Sequence, residues 1–402
     1  MQRRHDLDWV RVCAFGLLVL YHVGMYYVSW SWHVNSPQPV TALEPVMLLS
    51  SPWRLSLLFL VSGVATAFLI EKAGRAAKAE GRRARFIGAR SWRLLLPLAF
   101  GMLVIVPPQS YYQVLEQLPG GYHDGFLAFW ARYLQADGSF CDANDCLTIP
   151  TWNHLWFVAY LWVYTLVLWA LWRFAPLLLD AGRRLVERGL RGWGMLVWPA
   201  LLLGLARLLV GPFPSTHALV GDWYNHVQYF GVFLLGVLIA RQAPAWDAIE
   251  RLRWPALLLW LASWAGIIGY FRTFADATPP DALRLAMRLV WGIDQWAAIV
   301  AVLGFARRLA PGDGPVLRYL VPAVFPVYIL HQTVTVTLAY TLRPAALPVS
   351  LEGPLLVLAT FALCFAGYEL IRRVSWLRPL FGLGPIAAPV VTAHRPQGTS
   401  SV

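Results

Sequence analysis

The chain has 402 residues, of which 58% are hydrophobic and only 13% charged, with 21 Trp and a mean hydropathy of +0.54. That composition excludes a water-soluble globule with an ordinary surface and points to a polytopic membrane protein. The net charge of +12 sits in short basic clusters between apolar runs, which is a topology pattern and not a nucleic-acid footprint.

The first apolar run, 8–28, follows Arg3 and Arg4. It begins like a signal peptide, but Met25-Tyr26-Tyr27 stands where a small-residue cleavage site would be. It therefore reads as an uncleaved first span. Arg11 and His22 are eleven residues apart. At ~100° and ~1.5 Å per residue they share one helix face, about 16 Å apart along the axis. An ionisable group at membrane depth is a functional candidate by default. The bland alternative is a packing histidine and an arginine that snorkels to the headgroups.

Nine further spans follow, at 53–70, 92–109, 153–174, 193–210, 223–240, 254–274, 287–305, 319–341 and 354–371. Trp or Tyr at many ends matches an interfacial aromatic belt. The loops after spans two, four, six, eight and ten carry the basic clusters, such as Lys72 to Arg93 and Arg183 to Arg191. The intervening loops hold few basic residues, among them Arg132 and Arg343. The positive-inside rule then puts both termini in the cytoplasm. The expected fold is all-α and polytopic, with about ten transmembrane helices. Residues 1–384 form the membrane domain, and 385–402 a flexible cytoplasmic tail. The longest loop on the far side, 110–151, contains Cys141 and Cys146, whose pairing the spacing leaves open. Cys13 and Cys364 fall within spans and read as packing residues. Gly63 and Ala67 allow close helix approach.

No phosphate-binding loop is present, since the only lysines are Lys72 and Lys78. There is no G-x-S-x-G elbow, and the four Cys lack zinc spacing. What remains is a set of polar residues at membrane depth. Arg90 and Arg93 share a face at the cytoplasmic mouth of the third span. With Arg85 they suit a phosphorylated ligand, because the guanidinium fork donates bidentately. His22, His33, His154 and His331 fall in the outer half of the membrane or at its middle. No carboxylate or Cys accompanies them at ligand spacing, so proton transfer fits them better than a metal. Asp294, Arg207 and Glu369 have no assigned role beyond pairing.

These residues resemble the integral-membrane acyltransferase family 3. The resemblance rests on Arg11-x10-His22, Phe59-Leu60-Val61-Ser62-Gly63, Arg90-Ser91-Trp92-Arg93, His154-Leu155-Trp156-Phe157 and Val327-Tyr328-Ile329-Leu330-His331. It covers nearly the whole chain, and the order and spacing of these short motifs make it specific. Trp32-His33-Val34-Asn35-Ser36, with Trp53-Arg54-Leu55 and Tyr368-Glu369, is most similar to the branch that succinylates osmoregulated periplasmic glucans. One departure is Gln332, where that branch can show a second His.

The resemblance implies a bacterial inner-membrane O-acyltransferase with no resident cofactor or metal. Its co-substrate is an acyl-coenzyme A, succinyl- or acetyl-, held by Arg90 and Arg93 with Arg11 deeper. A periplasmic glucan or related glycan brings its hydroxyl from the outer side, near His33, Asn35, His154, Trp156 and Arg54. His22 acts on the hydroxyl proton, and Arg11, His331 or Trp156 donates to the oxyanion. Membrane lipid is the other partner, nucleic acid is not, and the oligomeric state stays open. Two rivals remain: a transporter of an anionic or acylated metabolite, and a same-family enzyme acting on a small molecule or lipid.

Overall fold

The computed structural model describes residues 4–76, 81–141 and 146–385. Arg3, Lys78, the side chain of Arg85 and the expected tail beyond Pro385 lie outside the described residues. Among the described residues there are sixteen α-helices and no strand.

The long apolar runs become helices because they satisfy every backbone group internally, as a bilayer requires. Their order is α1 His5–Tyr27, α2 Glu44–Ser50, α3 Arg54–Ala76, α4 Gly81–Phe100, α5 Pro107–Gln117, α6 Phe126–Leu134, α7 Trp156–Phe174 and α8 Pro176–Gly189. Then come α9 Gly194–Val210, α10 Trp223–Ile239, α11 Ala243–Arg251, α12 Arg253–Thr273, α13 Asp281–Leu309, α14 Pro315–Leu342, α15 Val349–Arg373 and α16 Leu377–Leu380. Among the described residues, eight helical stretches are long and apolar enough to cross a membrane. Two bent pairs, α8 with α9 at 120° and α10 with α11 at 114°, bring the total to ten if each is one span. The all-α polytopic expectation therefore holds.

Packing divides the bundle by how much of each helix is buried. α13 is the axis: Trp296 to Ala301 is buried on all sides, and the helix packs against α9 and α12. α12 and α15 lie outside, with Leu258 and Leu358 exposed, as lipid-facing leucines should be. α3 packs on α10 through small residues. A Cβ on Gly63 would lie 2.0 Å from the Phe233 carbonyl oxygen, and one on Gly236 2.2 Å from that of Leu60. Backbones that close gain dispersion contacts, the attraction left to helices surrounded by equally apolar lipid.

Two expectations change. The third span does not stop at Gln109: a π-helical segment, Gly101–Ile105, joins α4 to α5, and the apolar helical stretch runs Phe86–Gln117. Nor is 110–151 a loop. It carries the end of α5 and all of α6, closed on an aromatic cluster of Tyr122, Phe129, Tyr133 and Phe140. Cys141 and Cys146 are joined by a disulfide at its edge. Buried aromatics supply enough apolar area to fold this short interval.

Candidate active site

Four histidines predicted from separate stretches meet at the end of the bundle opposite the basic loops. α1 brings His22, the turn after it His33, the entry to α7 His154, and α14 His331. α14 packs directly against α1.

The tautomers follow from the acceptors. His331 Nδ1 lies 2.6 Å from the Tyr328 carbonyl oxygen. A carbonyl only accepts, so Nδ1 carries the proton and Nε2 the lone pair. His22 Nδ1 lies 2.7 Å from that Nε2 and must donate to it. The two rings are 13° from coplanar with centroids 4.9 Å apart, an edge-to-edge hydrogen bond and not a stack. His22 is left with an unprotonated Nε2. It is partly exposed, whereas His331 is fully buried. One histidine thus fixes the tautomer of another and leaves its Nε2 able to accept a proton.

His154 stands edge-on to His331, with ring centroids 5.0 Å apart and planes at 89°. Its Nε2–H donates to the Ile329 carbonyl at 3.1 Å, and its own carbonyl accepts the Tyr328 hydroxyl at 2.5 Å. His33 donates through Nδ1 to Gln113 Oε1 at 2.6 Å and accepts at Nε2 from Gln332 at 2.8 Å. Burial holds the His33 imidazole below its ordinary pKa, partly countered by Gln113. Gln332, the departure noted in the sequence, also donates to Gln109 Oε1 at 3.0 Å.

The other far-side candidates part company. Asn35 donates to the carbonyls of Val28 at 3.4 Å and Trp30 at 2.9 Å, so its side chain shapes the turn after α1. Its backbone carbonyl accepts from Arg343, which also pairs with Glu116 at 2.6 Å. Trp156 packs in a neighbouring aromatic box, 5.6 Å from Tyr229 and 4.3 Å from His217. Arg54 is buried with its guanidinium carbon 3.3 Å from the Tyr21 ring centroid.

At the basic end, a cavity of about 1010 Å³ opens among α1, α3, α4, α7 and α14. Arg11, Arg90 and Arg93 line it, with Arg4, Lys72, Arg241, Arg307 and Arg378. Asp8 is the single carboxylate among the described lining residues, 3.8 Å from Arg11. Arg241 and Arg307 are paired with acids, Glu71 in one case and Asp247 and Glu250 in the other. Arg90 and Arg93 have no carboxylate partner among the described residues, and the Arg90 Nε is buried without an acceptor. The three residues expected to hold phosphates thus line one cavity.

Phe15, Phe157 and Phe325 line the cavity, and neither Tyr328 nor any of the four histidines does. Tyr328 sits behind them, 5.2 Å from Phe15 and 6.1 Å from Phe325, with His331 5.8 Å away on its far side. An aromatic partition therefore separates the cationic cavity from the histidines. Sequence reasoning gave no role to Tyr328, nor to Gln109 and Gln113. The detectable signal was a Gln at membrane depth, at position 109, for which nothing but an internal partner is adequate. Of the residues without an assigned role, Arg207 donates to Tyr224 at 2.6 Å and Gln295 at 3.0 Å, and Glu369 pairs with Arg372 and Arg373. Among the described residues no group of three metal-ligating side chains is present.

No curated protein and no solved structure matches the chain. A family described as an acyltransferase domain, the acyltransferase 3 family, matches residues 4–369. That match spans the helices that carry the histidine cluster and the walls of the cationic cavity apart from Arg378 and 382–384, and the chain belongs to this family of membrane acyltransferases.

Proposed function

We propose that this protein moves an acyl group from a cytoplasmic acyl-coenzyme A to a hydroxyl of a periplasmic glucan or related glycan. It does so in a bacterial inner membrane, with both termini cytoplasmic, and its branch is that of glucan biosynthesis protein C. The observation that carries the reading is a single helix, α1, with Arg11 in a cationic cavity at one end and an unprotonated His22 Nε2 towards the other. About 1010 Å³ is at the upper end of the roughly 300–1,000 Å³ usual for ligand pockets. Arg90 and Arg93 suit the coenzyme's phosphates, since guanidinium–phosphate pairs are bidentate.

The chemistry needs one proton relay. The acceptor hydroxyl gives its proton to His22 Nε2 as its oxygen attacks the thioester carbonyl carbon. The carbon–sulfur bond breaks, the thiolate takes that proton from His22, and coenzyme A leaves as the thiol. His331 accepts from the Nδ1–H throughout, so positive charge on His22 is stabilised as it forms. To reach His22 the thioester must pass the partition around Tyr328.

The test uses the full chain in lipid nanodiscs with acyl-coenzyme A and periplasmic glucan. Thiol release and glucan mass are the readouts. The parent is expected to release thiol and add one acyl mass per substitution. His22→Ala is expected to bind donor but lose about 10²–10⁴ in rate, the usual contribution of a general base. Near-parental turnover by that variant removes His22 from the role. Thiol release by no donor, together with uptake of an anionic solute into vesicles, replaces the enzyme with a transporter.

A further inference from the structure

Arg54 opens α3 and is 7% exposed. Its Nε and Nη1 meet no hydrogen-bond acceptor among the described residues. The guanidinium lies over the Tyr21 ring, 3.3 Å from its centroid, and the His22 ring centroid is 6.2 Å from the same point. Arg54 and His22 thus flank one phenol ring and lie within electrostatic reach of each other. The groups acting on Arg54 are Tyr21 and Tyr229, and neither is a carboxylate. A guanidinium buried this way keeps its charge and lacks an anion.

We propose that Arg54 selects the acyl group: it binds the terminal carboxylate of a dicarboxylic acyl chain while His22 serves the carbonyl end. The proposal rests on the acyltransfer reading and adds the residue that discriminates between acyl groups. In a four-carbon diacid the two ends are separated by three carbon–carbon bonds, roughly 4 Å when extended. Such a chain is slim enough to reach a buried cation beside the reacting centre. A charged substituent on a bulky glycan entering from the outer side is not. Charge favours the same ligand. His22 must become cationic during transfer, and an uncompensated guanidinium in reach opposes that. A carboxylate on Arg54 removes the opposition, so the correct donor prepares its own base. An acetyl group leaves Arg54 unpaired.

The experiment measures thiol release in nanodiscs, with glucan acceptor, from succinyl-coenzyme A, acetyl-coenzyme A and the neutral succinamoyl analogue. The parent is expected to prefer succinyl-coenzyme A over both others. In Arg54→Gln the succinyl-to-acetyl ratio of kcat/KM is expected to fall about 10- to 150-fold, the value of one charged hydrogen bond. Arg54→Lys is expected to keep part of the ratio, because the charge stays and the fork is lost. An Arg54→Gln variant that slows both donors equally overturns the assignment and leaves acyltransfer standing. So does a parent that accepts the succinamoyl or acetyl donor as readily as the succinyl one, a comparison that needs no variant to fold. Thiol release from no donor removes the acyltransfer reading, and this proposal with it.

Discussion

Replacing His331 with Ala tests the arrangement of the two imidazoles. In the parent, His331 Nε2 accepts from His22 Nδ1–H at 2.7 Å because its own Nδ1–H is committed to the Tyr328 carbonyl at 2.6 Å. The truncation removes that acceptor. Two costs follow. His22 is free to carry its proton on Nε2, where it cannot act as a base; a neutral hydrogen bond of about 0.5–1.5 kcal/mol no longer opposes that tautomer. The imidazolium formed during transfer also loses a charge-assisted bond worth about 1.5–3 kcal/mol. The second cost contains the first, since both arise from the same contact. At about 1.4 kcal/mol per tenfold, kcat is expected to fall roughly 10- to 150-fold. KM for the donor is expected to stay near the parent's, because His331 does not line the cationic cavity. Steady-state thiol release over a range of acyl-coenzyme A concentrations separates the two parameters. The double variant with His22→Ala is expected to be no slower than His22→Ala alone, since the residues act as a unit. Unchanged kcat in His331→Ala, or fully additive losses in the double variant, refutes the orienting role.

Arg90→Ala and Arg93→Ala are each expected to weaken acyl-coenzyme A binding by roughly 10- to 150-fold in isothermal titration, with little change in kcat; unchanged affinity in both removes the donor site from this cavity. Reporters fused after Arg188 and Arg378 are expected to read cytoplasmic, and those after Gly121 and Thr278 periplasmic; inverted signs break the donor-inside arrangement. His33 accepts from Gln332 only while neutral, and its pKa is lowered by burial. The unfolded chain therefore binds the proton first as pH falls through about 6.5, and stability drops from there down to the lowered folded value. The thermal midpoint of His33→Gln is expected to lose part of the parent's fall in that window, and identical slopes would count against a buried neutral His33.

The spans and the positions of the charged residues were legible in the chain because hydropathy and helical periodicity are local. Arg11 and His22 could be put on one helix face by counting, and Gly63 marked as a contact from its size. The acyltransferase motifs, too, were readable from order and spacing. The continuation of the third span through Gly101–Ile105 was not, since helix type is set by which carbonyl each N–H reaches, and here Val106 N–H reaches back to Gly101. Nor was the folding of 107–141 together with 146–149, whose aromatics bury one another only after the chain turns back. The site shows the division most clearly. The resemblance named His22 as the group that acts on the hydroxyl proton, but nothing in the sequence says which of its ring nitrogens carries a proton of its own. That is set by a carbonyl of Tyr328 and a ring 309 positions from His22. A proton's location is set by the acceptor opposite it, and which acceptor lies opposite is a property of packed helices.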